Sequence, residues 1–163
     1  MYNVLIVEDD PMAQKLLEIF VDGNSNFQVL HVIESAAMAE LYCMNSNIDL
    51  VLMDVCTAMN ASGLDAAEKI KRRFPKIKIV IITSQPECSF LDRARVAGVE
   101  SFWYKTASAE ELLTVMDRTM EGQSVYPDTT PTLRLGDAVS ENFSDRELEV
   151  LRLVVAGETD AEI

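Results

Sequence analysis

Basic residues are scarce in this chain. Its 163 residues include 14 Lys and Arg against 27 Asp and Glu, for a net charge of −13. Phosphate backbones are gripped by Lys and Arg, so a chain this acidic repels nucleic acid. Long apolar runs are missing too. No stretch is long enough to cross a bilayer, and Met1-Tyr2-Asn3 offers no basic opening for a secretory signal. Cysteine is limited to Cys43, Cys56 and Cys88, odd in number and widely spaced. That spacing suits neither a disulfide framework nor a zinc site, and it fits a reducing cytosol. A cytoplasmic protein without membrane partners is therefore expected. Its 48% hydrophobic content suffices for one well-buried domain and a small appendage.

What is present is a set of short β-rich apolar runs alternating with amphipathic stretches. Strands are expected near Asn3–Val7, Phe27–Ile33, Ile48–Met53, Ile77–Thr83 and Glu100–Tyr104. The unbroken Val, Ile and Leu content of the first, third and fourth implies burial on both faces, as in a parallel sheet. Helices are expected over Pro11–Val21, over Ser35–Asn45 with Ser35 as N-cap, and over Ser62–Phe74, stopped by Pro75. Two more are expected over Pro86–Ala97, ended by Gly98, and from the capping box Ser108-Ala109-Glu110-Glu111 to about Met120. Five such units predict an α/β fold, a flavodoxin-like doubly wound five-stranded parallel sheet. Composition shifts after Glu121. The expected organisation is a first domain over 1–121, a linker over 122–142 and a partial helical segment over 143–163.

Four of the apolar runs end in chemically capable residues. The first runs into Glu8-Asp9-Asp10, the third into Asp54, the fourth into Thr83-Ser84 and the fifth into Lys105. In a doubly wound sheet the site lies beyond the carboxyl ends of the strands, so these residues are expected to meet. A carboxylate can attack phosphorus if the repulsion between anions is cancelled. Magnesium, which prefers oxygen ligands, is suited to do this beside Glu8, Asp9 and Asp54. Lys105 and Thr83 are candidates for holding phosphoryl oxygens. Taken singly each residue has an ordinary alternative: an acid after a strand caps the next helix, a Thr forms a turn, a Lys is a solvated charge. Their joint occurrence points to a site.

Residues 1 to about 121 resemble the receiver domain of two-component response regulators. Leu5-Ile6-Val7-Glu8-Asp9-Asp10-Pro11, Val51-Leu52-Met53-Asp54, Ile81-Ile82-Thr83-Ser84 and Ala97-Gly98-Val99-Glu100-Ser101-Phe102-Trp103-Tyr104-Lys105 carry the resemblance. It implies that Asp54 becomes an acyl phosphate and that Mg2+ is held by Asp9 and Asp54, with Glu8 acting through water and the Cys56 backbone carbonyl adding a ligand. Thr83 and Phe102 would be the switch pair and Lys105 the conserved-type lysine. A sensor histidine kinase would donate the phosphoryl group, and phosphorylation would favour a homodimer. The chain would be a phosphoacceptor that assists its own transfer rather than an enzyme with a separate substrate.

Phe143-Ser144-Asp145-Arg146-Glu147-Leu148-Glu149-Val150-Leu151-Arg152-Leu153 onward resembles the start of a LuxR/NarL-type helix-turn-helix output domain. The recognition helix that reads bases is not among these residues, so a truncated transcriptional regulator is expected, with DNA contacted only through the missing remainder. Ala58 stands where the receiver family usually has proline, and Gly63 comes one residue late, so the loop over Val55–Ser62 is expected to be longer and less rigid. That loop motivates an alternative, a pseudo-receiver used as an interaction module without phosphorylation. Two further rivals fit less well. A haloacid-dehalogenase-like phosphatase wants an acid where Cys56 stands. A flavodoxin-like cofactor carrier would have its phosphate repelled by Glu8-Asp9-Asp10.

Overall fold

The computed structural model describes residues 1–105, 109–128, 134–135 and 138–139. The first strand, β1 (Tyr2–Val7), leads into helix α1 (Pro11–Asp22), and β2 (Phe27–Ile33) into a 3-10 turn (Ala36–Met38) continued by α2 (Ala39–Asn45). After β3 (Leu50–Asp54) the chain forms two short strands, β4 (Cys56–Thr57) and β5 (Ala61–Ser62), before α3 (Gly63–Arg73). Then come β6 (Lys78–Thr83), α4 (Cys88–Val96), β7 (Ser101–Tyr104) and α5 (Ala109–Met120). The main sheet has the order β2-β1-β3-β6-β7 and every pairing in it is parallel. This is the five-stranded doubly wound fold expected from the alternation of elements.

The strand alternation explains the two layers. Val4 and Ile6 of β1, Leu50 and Leu52 of β3, and Val80 and Ile82 of β6 pack with Leu17 and Val21 of α1 and Leu112, Val115 and Met116 of α5. Their neighbours Leu5, Val7, Val51, Met53, Ile79 and Ile81 face Ala39 and Cys43 of α2, Leu64, Ala67 and Ile70 of α3, and Phe90, Leu91 and Ala94 of α4. A period of two with both faces apolar is what a sheet covered on both sides requires. Trp103 lies in the layer of α1 and α5. Burying apolar area on both faces, at roughly 25 cal/mol per Å², is the main force holding these layers.

Side chains cap the starts of α1 and α3, while α4 begins at Cys88 rather than at the expected Pro86. Asp10 Oδ1 accepts from the Ala13 amide at 2.7 Å, and Ser62 Oγ accepts from the Asp65 amide at 3.2 Å. Ser35 Oγ accepts from the Ala37 amide at 3.4 Å, but what it opens is the 3-10 turn rather than a helix running straight to Asn45. Strands three to five begin a residue or two later than expected, at Leu50, Lys78 and Ser101, and β3 takes in Asp54. The cap residue Ser108 lies outside the described residues, as do 140–163 and most of 129–139.

One compact unit spans Met1–Asp128, so it runs past Glu121 into the stretch expected to be linker. Gly122, at φ +89°, ends α5 in a left-handed conformation that suits glycine. The chain then turns back and lies along β7. A second unit, Thr129–Ile163, contains the paired strands β8 (Arg134–Leu135) and β9 (Ala138–Val139).

Candidate functional site

The carboxyl ends of β1, β3 and β7 bring Glu8, Asp9, Asp54 and Lys105 together. Glu8 is 1% exposed and Asp54 7%, while Asp9 is exposed. The two buried carboxylates share one ammonium: Lys105 Nζ donates to Glu8 Oε2 at 2.5 Å and to Asp54 Oδ2 at 2.9 Å. The remaining Asp54 oxygen, Oδ1, accepts from the Val55 amide at 2.7 Å. The Asp10 amide donates to Glu8 Oε1 at 3.1 Å, and Gln14 Nε2 donates to the Glu8 carbonyl at 2.6 Å. Gln14 anchors the turn from α1. It carries no signal of its own in the sequence beyond lying one helical turn after Asp10.

Three carboxylates against one ammonium leave the pocket short of positive charge. Burial pushes the Asp54 carboxyl up to about 6; Lys105 opposes this but does not cancel it, and Glu8 adds to it. Burial by itself would lower the Lys105 ammonium, but its bonds to Glu8 and Asp54 outweigh that and hold it above its ordinary value. Ligand atoms of Glu8, Asp9 and Asp54 lie within 4.8 Å of one another. A cluster of hard oxygen donors with unbalanced negative charge fits a divalent cation such as magnesium.

Thr83 closes β6 beside the pocket, where Asp54 of β3 pairs with Ile82. It is buried, and its Oγ1 accepts from the Gln85 amide at 3.1 Å. Its carbonyl accepts from the Lys105 amide at 2.8 Å, which ties the ends of β6 and β7 together. Phe102 is 2% exposed, with its ring 5.1 Å from that of Tyr104 and 6.2 Å from that of Tyr126. Cys56 opens the hairpin two residues after Asp54, with its thiol exposed.

That hairpin is more tightly held than its sequence implies. Cys56 pairs with Ser62 and Thr57 with Ala61. Thr57 Oγ1 donates to the Ala61 carbonyl at 2.8 Å and accepts from the Ala36 amide at 2.9 Å. Ser35 Oγ donates to the Ala58 carbonyl at 3.1 Å, and the Ala58 amide donates to the Glu34 carbonyl at 3.0 Å. The turn at its tip places Met59 at φ +61° and Asn60 at φ +55°. Left-handed backbone at a non-glycine residue such as Met59 is strained. The loop lacks proline, and these hydrogen bonds tie it to Glu34, Ser35 and Ala36, just after β2.

A parallel α/β sheet with an acidic pocket, one lysine and a buried threonine at its carboxyl edge defines a signalling receiver. Residues 4–117 match the family model described as the response regulator receiver domain. The chain belongs to the response regulator receiver family. It is 30% identical over 166 residues to the response regulator protein VraR of Staphylococcus aureus strain Mu3, covering 99% of this chain and 79% of that protein. Among solved structures it resembles a LuxR-family two-component response regulator from Aurantimonas sp. SI85-9A1, with a TM-score of 0.72 and 19% identity over 77% of this chain and 89% of that one. It also resembles a LuxR-family DNA-binding response regulator from Staphylococcus aureus, with a TM-score of 0.69 and 21% identity over 74% of this chain and 99% of that one. Among the described residues, no helix is long and apolar enough to cross a membrane.

Proposed function

We propose that the chain is a phosphorylation-controlled response regulator whose acceptor is Asp54. The observation that carries this reading is the buried Asp54 carboxylate, held by Lys105 and flanked by Glu8 and Asp9. A sensor histidine kinase is the proposed donor, which goes with action in the cytoplasm. An Asp54 carboxylate oxygen attacks the phosphorus of a phosphohistidine, the P–N bond breaks, and its electron pair returns to the imidazole nitrogen, which takes up a proton. The product is an acyl phosphate on Asp54. Asp9 and Asp54, with Glu8 through water and the Cys56 backbone carbonyl, would hold Mg2+. When bound, the metal would supply the positive charge that lets two anions meet.

Lys105 is positioned to exchange its bond to Asp54 for one to a phosphoryl oxygen. Thr83 would leave the Gln85 amide and donate its hydroxyl to another. Phe102, three residues before Lys105 on the same strand, would then repack, giving two states biased by local charge. In this scheme the protein assists a transfer to itself rather than turning over a separate substrate, and phosphorylation favours a homodimer.

Residues 143–163 are proposed as the opening of a LuxR-type helix-turn-helix domain. The match to the response regulator VraR covers 99% of this chain, so it takes in these residues as well as the receiver. The segment over 141–163 holds seven acids and two bases. That balance disfavours phosphate contact by these residues themselves. Residues 122–142 would connect the parts, although Gly122–Asp128 belong to the first compact unit.

Incubation of the full chain with Mg2+ and acetyl phosphate, followed by intact mass, tests the assignment. One added phosphoryl group, absent from Asp54→Asn, is expected. A chain that neither binds magnesium nor gains mass would instead be a pseudo-receiver interaction module.

A further inference from the structure

The segment after α5 makes contacts that the acceptor chemistry does not use. β7 is the last strand of the sheet, so the backbone groups on its outer side need partners from elsewhere. The Phe102 amide donates to the Val125 carbonyl at 2.8 Å. The Val125 amide donates to Ser101 Oγ at 3.0 Å, and that hydroxyl is hydrogen-bonded to Thr119 Oγ1 at 2.7 Å. Tyr126 then crosses from β7 towards α4. Its hydroxyl donates to the Val99 carbonyl at 2.8 Å, and the Arg95 guanidinium sits 4.6 Å over its ring. Residue 102 thus meets this strap twice, through its amide at Val125 and through its ring at Tyr126.

We propose that Val125 and Tyr126 form a strap closed over β7 while Asp54 is unmodified, and that repacking of Phe102 loosens it, passing the state of the pocket to the chain beyond Asp128. The inference rests on Asp54 being the acceptor, and it adds the element that leads the signal out of the domain. Phe102 cannot change its packing without disturbing the ring of Tyr126, and a shift of its backbone breaks the bond to Val125. Noncovalent contacts hold the strap: single hydrogen bonds to an edge strand, an aromatic contact and a cation over a ring. Segments held this way open at less than the cost of global unfolding. Coupling is reciprocal in such a device, so a weakened strap also alters the pocket's response.

Amide exchange at Phe102, read residue by residue on the full 163-residue chain in Mg2+ with and without acetyl phosphate, tests the strap. Intact mass is taken on the same samples. In the phosphorylated sample the Phe102 amide should exchange about tenfold faster, while Leu52 in the central strand keeps its rate. A mass gain with unchanged exchange at Phe102 overturns the strap and leaves the acceptor standing. No mass gain overturns the acceptor, and a phosphorylation-driven strap falls with it. Tyr126→Phe keeps the ring and removes only the bond to Val99. Its unmodified form should exchange at Phe102 about threefold faster than the native chain, and equal rates would remove the Tyr126 hydroxyl from the device.

Discussion

The two ends of the sheet both bury charge, and they do so in opposite ways. At the amino-terminal end Glu100 is surrounded by donors. Lys71 Nζ reaches its Oε1 at 2.6 Å, Lys78 Nζ lies at 3.5 Å from the same oxygen, and the Ile79 amide donates to Oε2 at 3.0 Å. Lys71 also donates to the carbonyls of Pro75 at 3.1 Å and Ile77 at 2.9 Å. One carboxylate faces two ammonium groups, and the cluster is complete. At the carboxyl end Glu8 and Asp54 share the Lys105 ammonium, with the Asp9 carboxylate close beside them. A buried ion pair by itself is weak evidence of function. An imbalance of charge in a buried pocket is stronger evidence, because something from outside has to complete it.

The sharpest break in this comparison is chemical. Asp54→Asn should lose phosphoryl incorporation from acetyl phosphate by at least roughly a hundredfold, read by intact mass, since a carboxamide lacks the carboxylate oxygen that attacks phosphorus. Unchanged incorporation in that variant would move the acceptor elsewhere. Next comes the response of each end to losing its lysine. Lys71→Met should cost about 2 kcal/mol in urea unfolding, with no recovery in magnesium, because it removes one of three donors to Glu100 and a donor to two carbonyls. Lys105→Met should cost about 2 kcal/mol in chelator and regain part of it in magnesium, through binding to the folded state alone. If magnesium rescued both variants equally, the distinction between the two ends would collapse.

A smaller effect is expected at Asp9. Its side chain is exposed, so Asp9→Asn should leave stability within about 0.5 kcal/mol while weakening magnesium binding about tenfold or more by titration calorimetry. Smallest is a test at Tyr126, near the completed end. Burial pushes its phenol up to about 12; Arg95 opposes this and Glu100 adds to it. The unfolded chain loses that proton near pH 10, so the folded state is the better proton binder between the two values. Tyr126 therefore contributes stability that is full below pH 10 and is lost as pH rises towards 12. Native protein should lose on the order of 1 kcal/mol more than Tyr126→Phe across that window, after discounting for the half-buried ring. Parallel curves for the two would show that the phenol is not buried as described.

The parts of this molecule that were legible in the sequence share a physical cause. Strands buried on both faces must be apolar throughout, so Leu50–Met53 and Ile79–Ile82 stand out, and chain order then places Asp54 and Thr83 at their ends. Glu8, Asp54 and Lys105 met as expected because a parallel sheet puts all its carboxyl ends on one side. The hairpin after Asp54 was not legible. Its strands have two residues each, too few for any period, and its turn uses Met59 and Asn60 in left-handed backbone where glycine would have announced it. Its anchors were hidden for the same reason, since they are Glu34, Ser35 and Ala36, more than twenty residues away in sequence. The strap was hidden by its surroundings. Val125-Tyr126 is a β-type pair among Gly, Ser, Pro and Thr, and composition alone assigns such a stretch to a linker.

Gly63 carries one more consequence. A methyl group on its Cα would lie 1.8 Å from the Asp54 carbonyl oxygen, and the Gly63 amide donates to the Val55 carbonyl at 2.8 Å. Helix α3 therefore begins directly against the backbone of Asp54. The end of β3 is set like a workpiece against a stop, and the stop works only because that position has no side chain. Any substitution there would leave every pocket residue in the sequence and still push the Asp54 backbone out of alignment.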